Sequence, residues 1–200
     1  MDTPMNADIR KVKVPNSDLV DPYLYQQLIG SLMYLVNTEL DIWFAVNTLS
    51  QCQVEPRQEH WIVAKNVLRY IHGTINYGLR YTESSDIQLH GFTDSDLAGS
   101  VEDIKSTSGM CFSLGSSMIS WSSRKKKSVT LSTVEAEYMA ACETCTEAVW
   151  LRKLISDLFD QTPESTIIYC DNQSCIRLSE HPVFHERSKH IEIKYYFIRD

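Results

Sequence analysis

Apolar residues recur at three- and four-residue steps through the first third of the chain and at two-residue steps after it, so the pattern itself divides the sequence. Leu24, Leu28, Leu32 and Leu35 form one stripe, Ile42, Ala45, Val46 and Leu49 a second, and Trp61, Ala64, Leu68 and Ile71 a third. Asn37-Thr38 and Pro56 interrupt them and Gly73 closes the last, which predicts three amphipathic helices. Residues 1–20 ahead of them are polar, contain Pro4 and Pro15, and read as an arm. His60 and His72 lie on or beside the helices and are assigned to core or surface rather than to a ligand set.

Beyond Gly73 the alternation predicts strands at Tyr77–Tyr81, at Ile87–Thr93 running on to Asp94, at Gly109–Gly115, and at Met118–Ser122 with a continuation into Val129–Leu131. Gly115, Ser116 and Ser117 predict a tight hairpin between two of them. Ser132-Thr133-Val134-Glu135 has the form of a capping box, and a long helix follows to about Phe159 with Tyr138, Ala141, Cys142, Cys145, Val149, Leu154 and Leu158 as its buried stripe. Thr166–Asp171 is a short continuous apolar run, the pattern of a central strand covered on both faces. Asn172–Ser179 predicts a short helix, His181–His185 a loop, and Arg187–Asp200 a last helix. The chain therefore reads as an arm (1–20), a helical unit (21–85) and an α/β unit (86–200) in which helices pack on a mixed sheet. Short right-handed connections put the strand at 166 beside the first strand, and with it Asp171 beside Asp94.

Composition changes this picture little. With 43% hydrophobic and 22% charged residues the chain is of ordinary globular type, and no apolar run approaches a membrane span. The first residues lack the basic flank and apolar core of a signal peptide, so a cytoplasmic or nuclear setting is expected, with no membrane partner. Six cysteines inside apolar segments predict reduced, buried thiols, and Cys142 and Cys145, though spaced as a CxxC, fall on a core stripe with no second pair. A net charge of −7 argues against nonspecific coating of nucleic acid. The one dense basic run is Arg124-Lys125-Lys126-Lys127, a candidate phosphate contact or else a solvated turn.

The candidate chemistry is carboxylate chemistry. Asp94 lies within a strand that enters apolar and leaves through Gly99, Asp171 ends the central strand, and the long helix opens with two glutamates. Glu135 suits the cap, whereas Glu137 is spaced on the side of Ala141, toward the sheet. Three acids without histidine or cysteine make a hard-oxygen site matched to Mg²⁺ or Mn²⁺, and two such ions could support phosphodiester hydrolysis.

These segments also resemble a known family. Thr93–Gly99, Lys105–Gly109, Ile119–Ser123, Glu135–Ala140, Tyr169–Ser174 and Arg187–Ile191, in that order, resemble the ribonuclease H domain of Ty1/copia-type retrotransposon polyproteins. Leu28–Leu35 and Ala64–Thr74 resemble the thumb and connection that follow the polymerase palm, so the likeness runs from Tyr23 to Asp200. The resemblance implies an RNase H-like five-stranded mixed sheet, its last strand falling beyond this chain, and hydrolysis of the RNA strand of an RNA/DNA hybrid. It implies two divalent ions with substrate bound, held by Asp94, Glu137 and Asp171 as the catalytic acids, and the rest of the Pol polyprotein as partner. For an active element, a virus-like particle is an expected setting.

The family's fourth acid is expected in an Ala-Asp-x-x-Thr-Lys-like motif past Asp200; within the chain, Glu192 is the candidate auxiliary acid. No Tyr-x-Asp-Asp motif occurs, so polymerisation by this chain is not expected. Glu39-Leu40, Leu97, Ser100 and Ile104 depart from residues common in the family, and a histidine expected near Tyr196 is absent. The alternative functional reading is an inactive fragment with at most nucleic-acid binding. A third, an integrase or resolvase on the same fold, is disfavoured by a glutamate so early in the long helix.

Overall fold

The computed structural model describes residues 3–5, 17–82, 88–97, 105–126, 129–160 and 165–180, and it divides into two compact units, Met1–Gly78 and Leu79–Asp200. In the first, Asp21 starts helix α1 (Pro22–Leu35): its carboxylate accepts from the Tyr23 amide at 2.9 Å, and Pro22 occupies a position whose N–H would have no helical partner. A 3₁₀ turn at Leu40–Ile42 leads into α2 (Trp43–Ser50), and α3 spans Gln58–Gly73. His60 Nδ1 accepts from the Arg57 amide at 3.1 Å, so this histidine caps α3.

The core of this unit is Tyr25, Ile29, Leu32, Val36, Ile42, Ala45, Val46, Leu49, Val63, Ala64 and Val67. The stripe expected for α2 is the buried one. For α1 the buried face is turned by one residue: Tyr25, Ile29 and Val36 are inside and Leu24 is 51% exposed. Tyr25 wins the interior because its hydroxyl donates to the Leu49 carbonyl at 2.9 Å, which satisfies its polar end inside the core. On α3, Val63 and Val67 replace Leu68 in the interior.

In the second unit, β1 (Leu89–Asp96) pairs antiparallel with β2 (Thr107–Leu114), and β2 with β3 (Ser117–Lys125). Gly115 has φ 57° at the head of the β2–β3 turn, a conformation glycine adopts without steric cost. Helix α4 (Thr133–Phe159) crosses over to β4 (Ile167–Cys170), which lies parallel to β1, and α5 spans Gln173–Glu180. The described sheet has the order β3-β2-β1-β4 and is open. A β-meander followed by a helical crossover to a parallel strand is the RNase H-like arrangement.

Gly91 is where β1 is squeezed: a Cβ there would sit 2.8 Å from the Phe112 ring and 3.2 Å from Ile168. Leu89, Phe112, Ala148, Leu151 and Ile155 form the core between sheet and helix, and Tyr138, Met139, Cys142, Cys175 and Leu178 join α4 to α5. The buried face of α4 differs from the expected stripe. Thr144, Ala148, Leu151 and Ile155 face inward, while Val149 and Leu158 are 66% and 67% exposed.

Three expected features take another form. Tyr77–Tyr81 forms no strand; Arg80, Tyr81 and Thr82 are instead held by bonds involving Ser117, the Met118 carbonyl and Ser116. Val129–Leu131 does not continue the sheet, and Thr130 instead bonds Ser106 within the interior at 2.7 Å. The strand at 166–171 is covered on one face, with Ile167 51% and Tyr169 48% exposed, and among the described residues it is an edge of the sheet. The expected helix at 187–200 lies outside the described residues.

Candidate functional site

The capping box that starts α4 also places the site. Ser132 Oγ accepts from the Glu135 amide at 3.2 Å, and Glu135 Oε2 reaches back to the Leu131 amide at 2.7 Å. Glu135 is thereby committed to the helix start, and Glu137, two residues on, points toward β1. Its Oε1 accepts from the Ser95 amide, the peptide just past Asp94, at 3.2 Å. Its Oε2 is buried with no hydrogen-bond partner, and the residue is 6% exposed.

Such a half-satisfied carboxylate is electrostatically costly. Burial pushes the Glu137 carboxyl up to about 7; the Ser95 N–H works the other way, and the charges of Asp94 and Asp171 add to the rise. The site is thus short of positive charge and of one donor or cation.

Strand pairing brings the other acids in. Thr93 is the register partner of Cys170, so Asp94 and Asp171 follow the last paired positions of two adjacent parallel strands. Asn172 then turns the chain, its side chain accepting from the Ser174 and Cys175 amides at 3.0 Å each. Glu137, Cys170 and Asp171 each contribute one ligand-type atom to a group within 4.8 Å of one another. Asp94, exposed on β1, lies outside that group yet close enough to act on the Glu137 carboxyl. Asp96 ends β1 opposite Thr107, away from this group.

Cys170 is the member that the sequence reading missed. All six cysteines are free thiols, but of the six expected to be buried only Cys142 and Cys175 are, and Cys52, Cys111, Cys145 and Cys170 are half-buried. The available signal was adjacency: Cys170 and Asp171 are consecutive at a strand end, where the chain turns and neighbouring side chains need not point to opposite faces.

The basic run divides. Arg124 is exposed at the end of β3, but Lys126 is turned inward, 6% exposed, with Nζ 2.6 Å from Glu143 Oε2. The structure thus engages Lys126 in an ion pair with Glu143 on α4 rather than at the surface. Lys127 and Glu192 lie outside the described residues. A cavity of about 260 Å³ opens beside this pair, lined by Ser108, Arg124, Glu143 and Glu147 among others. Its acids are engaged, Glu143 by Ser108 and Lys126 and Glu147 by Ser120, so it forms a polar packing seam apart from the carboxylate site.

No family model matches the chain. Among curated proteins, it is 40% identical over 198 residues to the retrovirus-related Pol polyprotein from transposon RE2 of Arabidopsis thaliana, a match covering 99% of this chain and 14% of that protein. It is 42% identical over 177 residues to the Pol polyprotein from transposon TNT 1-94 of Nicotiana tabacum, covering 88% of this chain and 13% of the relative. It is also 46% identical over 131 residues to secreted RxLR effector protein 161 of Plasmopara viticola, covering 65% of this chain and 91% of that protein. The chain spans about one seventh of the length of the Pol polyproteins it matches. With likeness along almost its whole length, the chain belongs to the retrovirus-related Pol polyproteins of copia-type transposons and corresponds to a segment of them.

Proposed function

We propose that the unit from Leu79 onward hydrolyses the RNA strand of RNA/DNA hybrids with the aid of divalent metal, and that the helical unit before it is the thumb and connection remnant of a reverse transcriptase. The observation that carries this reading is the buried, unpartnered Oε2 of Glu137 beside Asp171 and within reach of Asp94. Oxygen donors short of positive charge suit Mg²⁺ or Mn²⁺, with Glu137, Asp171 and Asp94 as the holding residues. When bound, such ions supply an activated water and a stabilised leaving oxygen.

The chain's own residues account for the rest. Ser95 N–H fixes the Glu137 carboxylate, the β1–β4 pairing fixes the spacing of the two aspartates, and exposed Arg124 with neighbouring Lys125 offers charge to the phosphates of the DNA strand. Recognition would rest on the width of the hybrid and its 2′-hydroxyls rather than on sequence. A labelled hybrid incubated with the protein in Mg²⁺ should be cut within its RNA strand, and Asp94→Asn should abolish cutting. Equal cutting by the variant would overturn the assignment.

A second reading, an inactive Pol fragment with at most nucleic-acid binding, is favoured by the position of Asp94 outside the tight group. It predicts retention of the hybrid without cleavage at any divalent ion concentration.

A further inference from the structure

We infer that Cys170 turns this carboxylate pair into a mixed oxygen–sulfur site that takes a thiophilic divalent cation of the Zn²⁺ or Cd²⁺ class, in competition with the hard ion of the proposed hydrolysis. The inference rests on Glu137 and Asp171 forming a cation site, the same premise as the proposed function, and adds a donor of different chemistry.

The donors are already gathered. One oxygen from each carboxylate and the Cys170 sulfur lie within 4.8 Å of one another. Around a tetrahedral zinc, with metal–sulfur and metal–oxygen bonds of about 2.3 and 2.1 Å, neighbouring ligand atoms stand roughly 3.5 Å apart. Side-chain adjustment of about an ångström closes that difference. Three protein ligands leave a fourth position open to water, to Asp94 or to a substrate oxygen.

The second, independent sign of a missing ligand is Glu137 itself, 6% exposed with Oε2 unpartnered. Cys170 Sγ is held by the Asn172 carbonyl at 4.0 Å and by the neighbouring Cys175 thiol, two weak sulfur contacts that coordination would replace. A sulfur donor weights the site toward soft and borderline ions, and zinc outranks magnesium at mixed donor sets. Coordination exchanges the thiol proton for the metal, so that Cys170–SH and the dication give a thiolate–metal bond and one proton released to solvent. A tetrahedral ion seated here would occupy the carboxylates without the octahedral, water-rich geometry that the hard ion keeps.

Cd²⁺ titration of the full chain tests the idea through the ultraviolet sulfur-to-metal charge-transfer band, which reports thiolate coordination whether or not the protein cleaves anything. One equivalent should generate the band. Cys170→Ser, a near-isosteric change whose folding is checked by circular dichroism, should lose it. Glu137→Gln, which keeps the thiol, should weaken cadmium binding by at least roughly 10–100-fold, the loss that changes even outside the ligand shell produce. A band that persists in Cys170→Ser, or an affinity untouched in Glu137→Gln, would overturn the inference. Hybrid cleavage, measured separately in Mg²⁺ without cadmium, distinguishes the two readings: a cadmium band with no cleavage in Mg²⁺ sinks the hydrolase and leaves the mixed site standing, and cleavage in Mg²⁺ with no cadmium band does the reverse.

Discussion

Helix α4 carries two acidic seams, and they are built differently. Glu143 and Glu147 are engaged from within the fold: Lys126 lies 2.6 Å from Glu143, Ser108 donates to the same carboxylate and Ser120 to Glu147. At Glu137, nearly two turns earlier on the same helix and against the same sheet, one oxygen has the Ser95 amide and the other has nothing. Carboxylates that serve packing arrive with a cation and hydroxyls from the facing strands. The one that does not is left short beside two more acids, and the proposed cation site rests on that shortage.

The largest effect expected from breaking this contrast is on chemistry. Replacing Asp94 by Asn should cut hybrid cleavage about 10³-fold or more, equivalent to about 4 kcal/mol of barrier, in a gel assay with Mg²⁺. Replacing Glu143 by Gln acts on stability instead: it removes the carboxylate 2.6 Å from the buried Lys126 ammonium and should cost about 2 kcal/mol in urea unfolding, less than a fully buried pair because Glu143 is 42% exposed. No comparable loss is expected at Glu137.

Glu137→Gln should in fact stabilise the metal-free protein at high pH. The folded state raises this carboxyl from 4.5 to about 7, so folded protein holds the proton more tightly than unfolded chain. That stabilisation is fully present below pH about 4.5 and is lost as pH rises through about 7. Wild type should lose melting temperature across this window while Glu137→Gln stays flatter and melts about 4 °C higher at pH 8, the response of a domain of this size to about 1 kcal/mol. Opposite signs at Glu143 and Glu137 would express the difference between the seams directly. The smallest effect is at the surface: Arg124→Ala should weaken hybrid binding a few-fold and lower its salt slope by about 1, measured by fluorescence anisotropy.

Local chemistry was readable in the sequence where one residue decides one turn. The Ser132–Glu135 cap and the Gly115 hairpin follow from short-range rules, the parallel pairing of β4 with β1 follows from the rule of short right-handed connections, and the commitment of Glu135 to the cap left Glu137 for the sheet. The faces of the helices were harder. At the start of α4, residues 135–140 are all buried, because sheet and α5 cover this stretch from more than one side, and periodicity cannot pick a face there. Farther along, the pattern favours Val149 and Leu158, but the contacts belong to Thr144 and Ala148, small enough for close approach to the sheet. Lys126 and Cys170 were missed for a related reason. A lysine reads as solvated until a carboxylate on another element is known to face it, and a cysteine reads as core until the turn after it brings two acids alongside.

The central proposal is that Glu137, Asp171 and Asp94 hold a divalent cation. It is tested most directly by the melting temperature at pH 8 with and without Mn²⁺. Wild type should be stabilised by up to about 2.7 kcal/mol when the ion is at 100 times its dissociation constant, and Glu137→Gln should show at most about half that shift at the same concentration. Equal shifts in the two proteins would place the ion elsewhere and contradict the account.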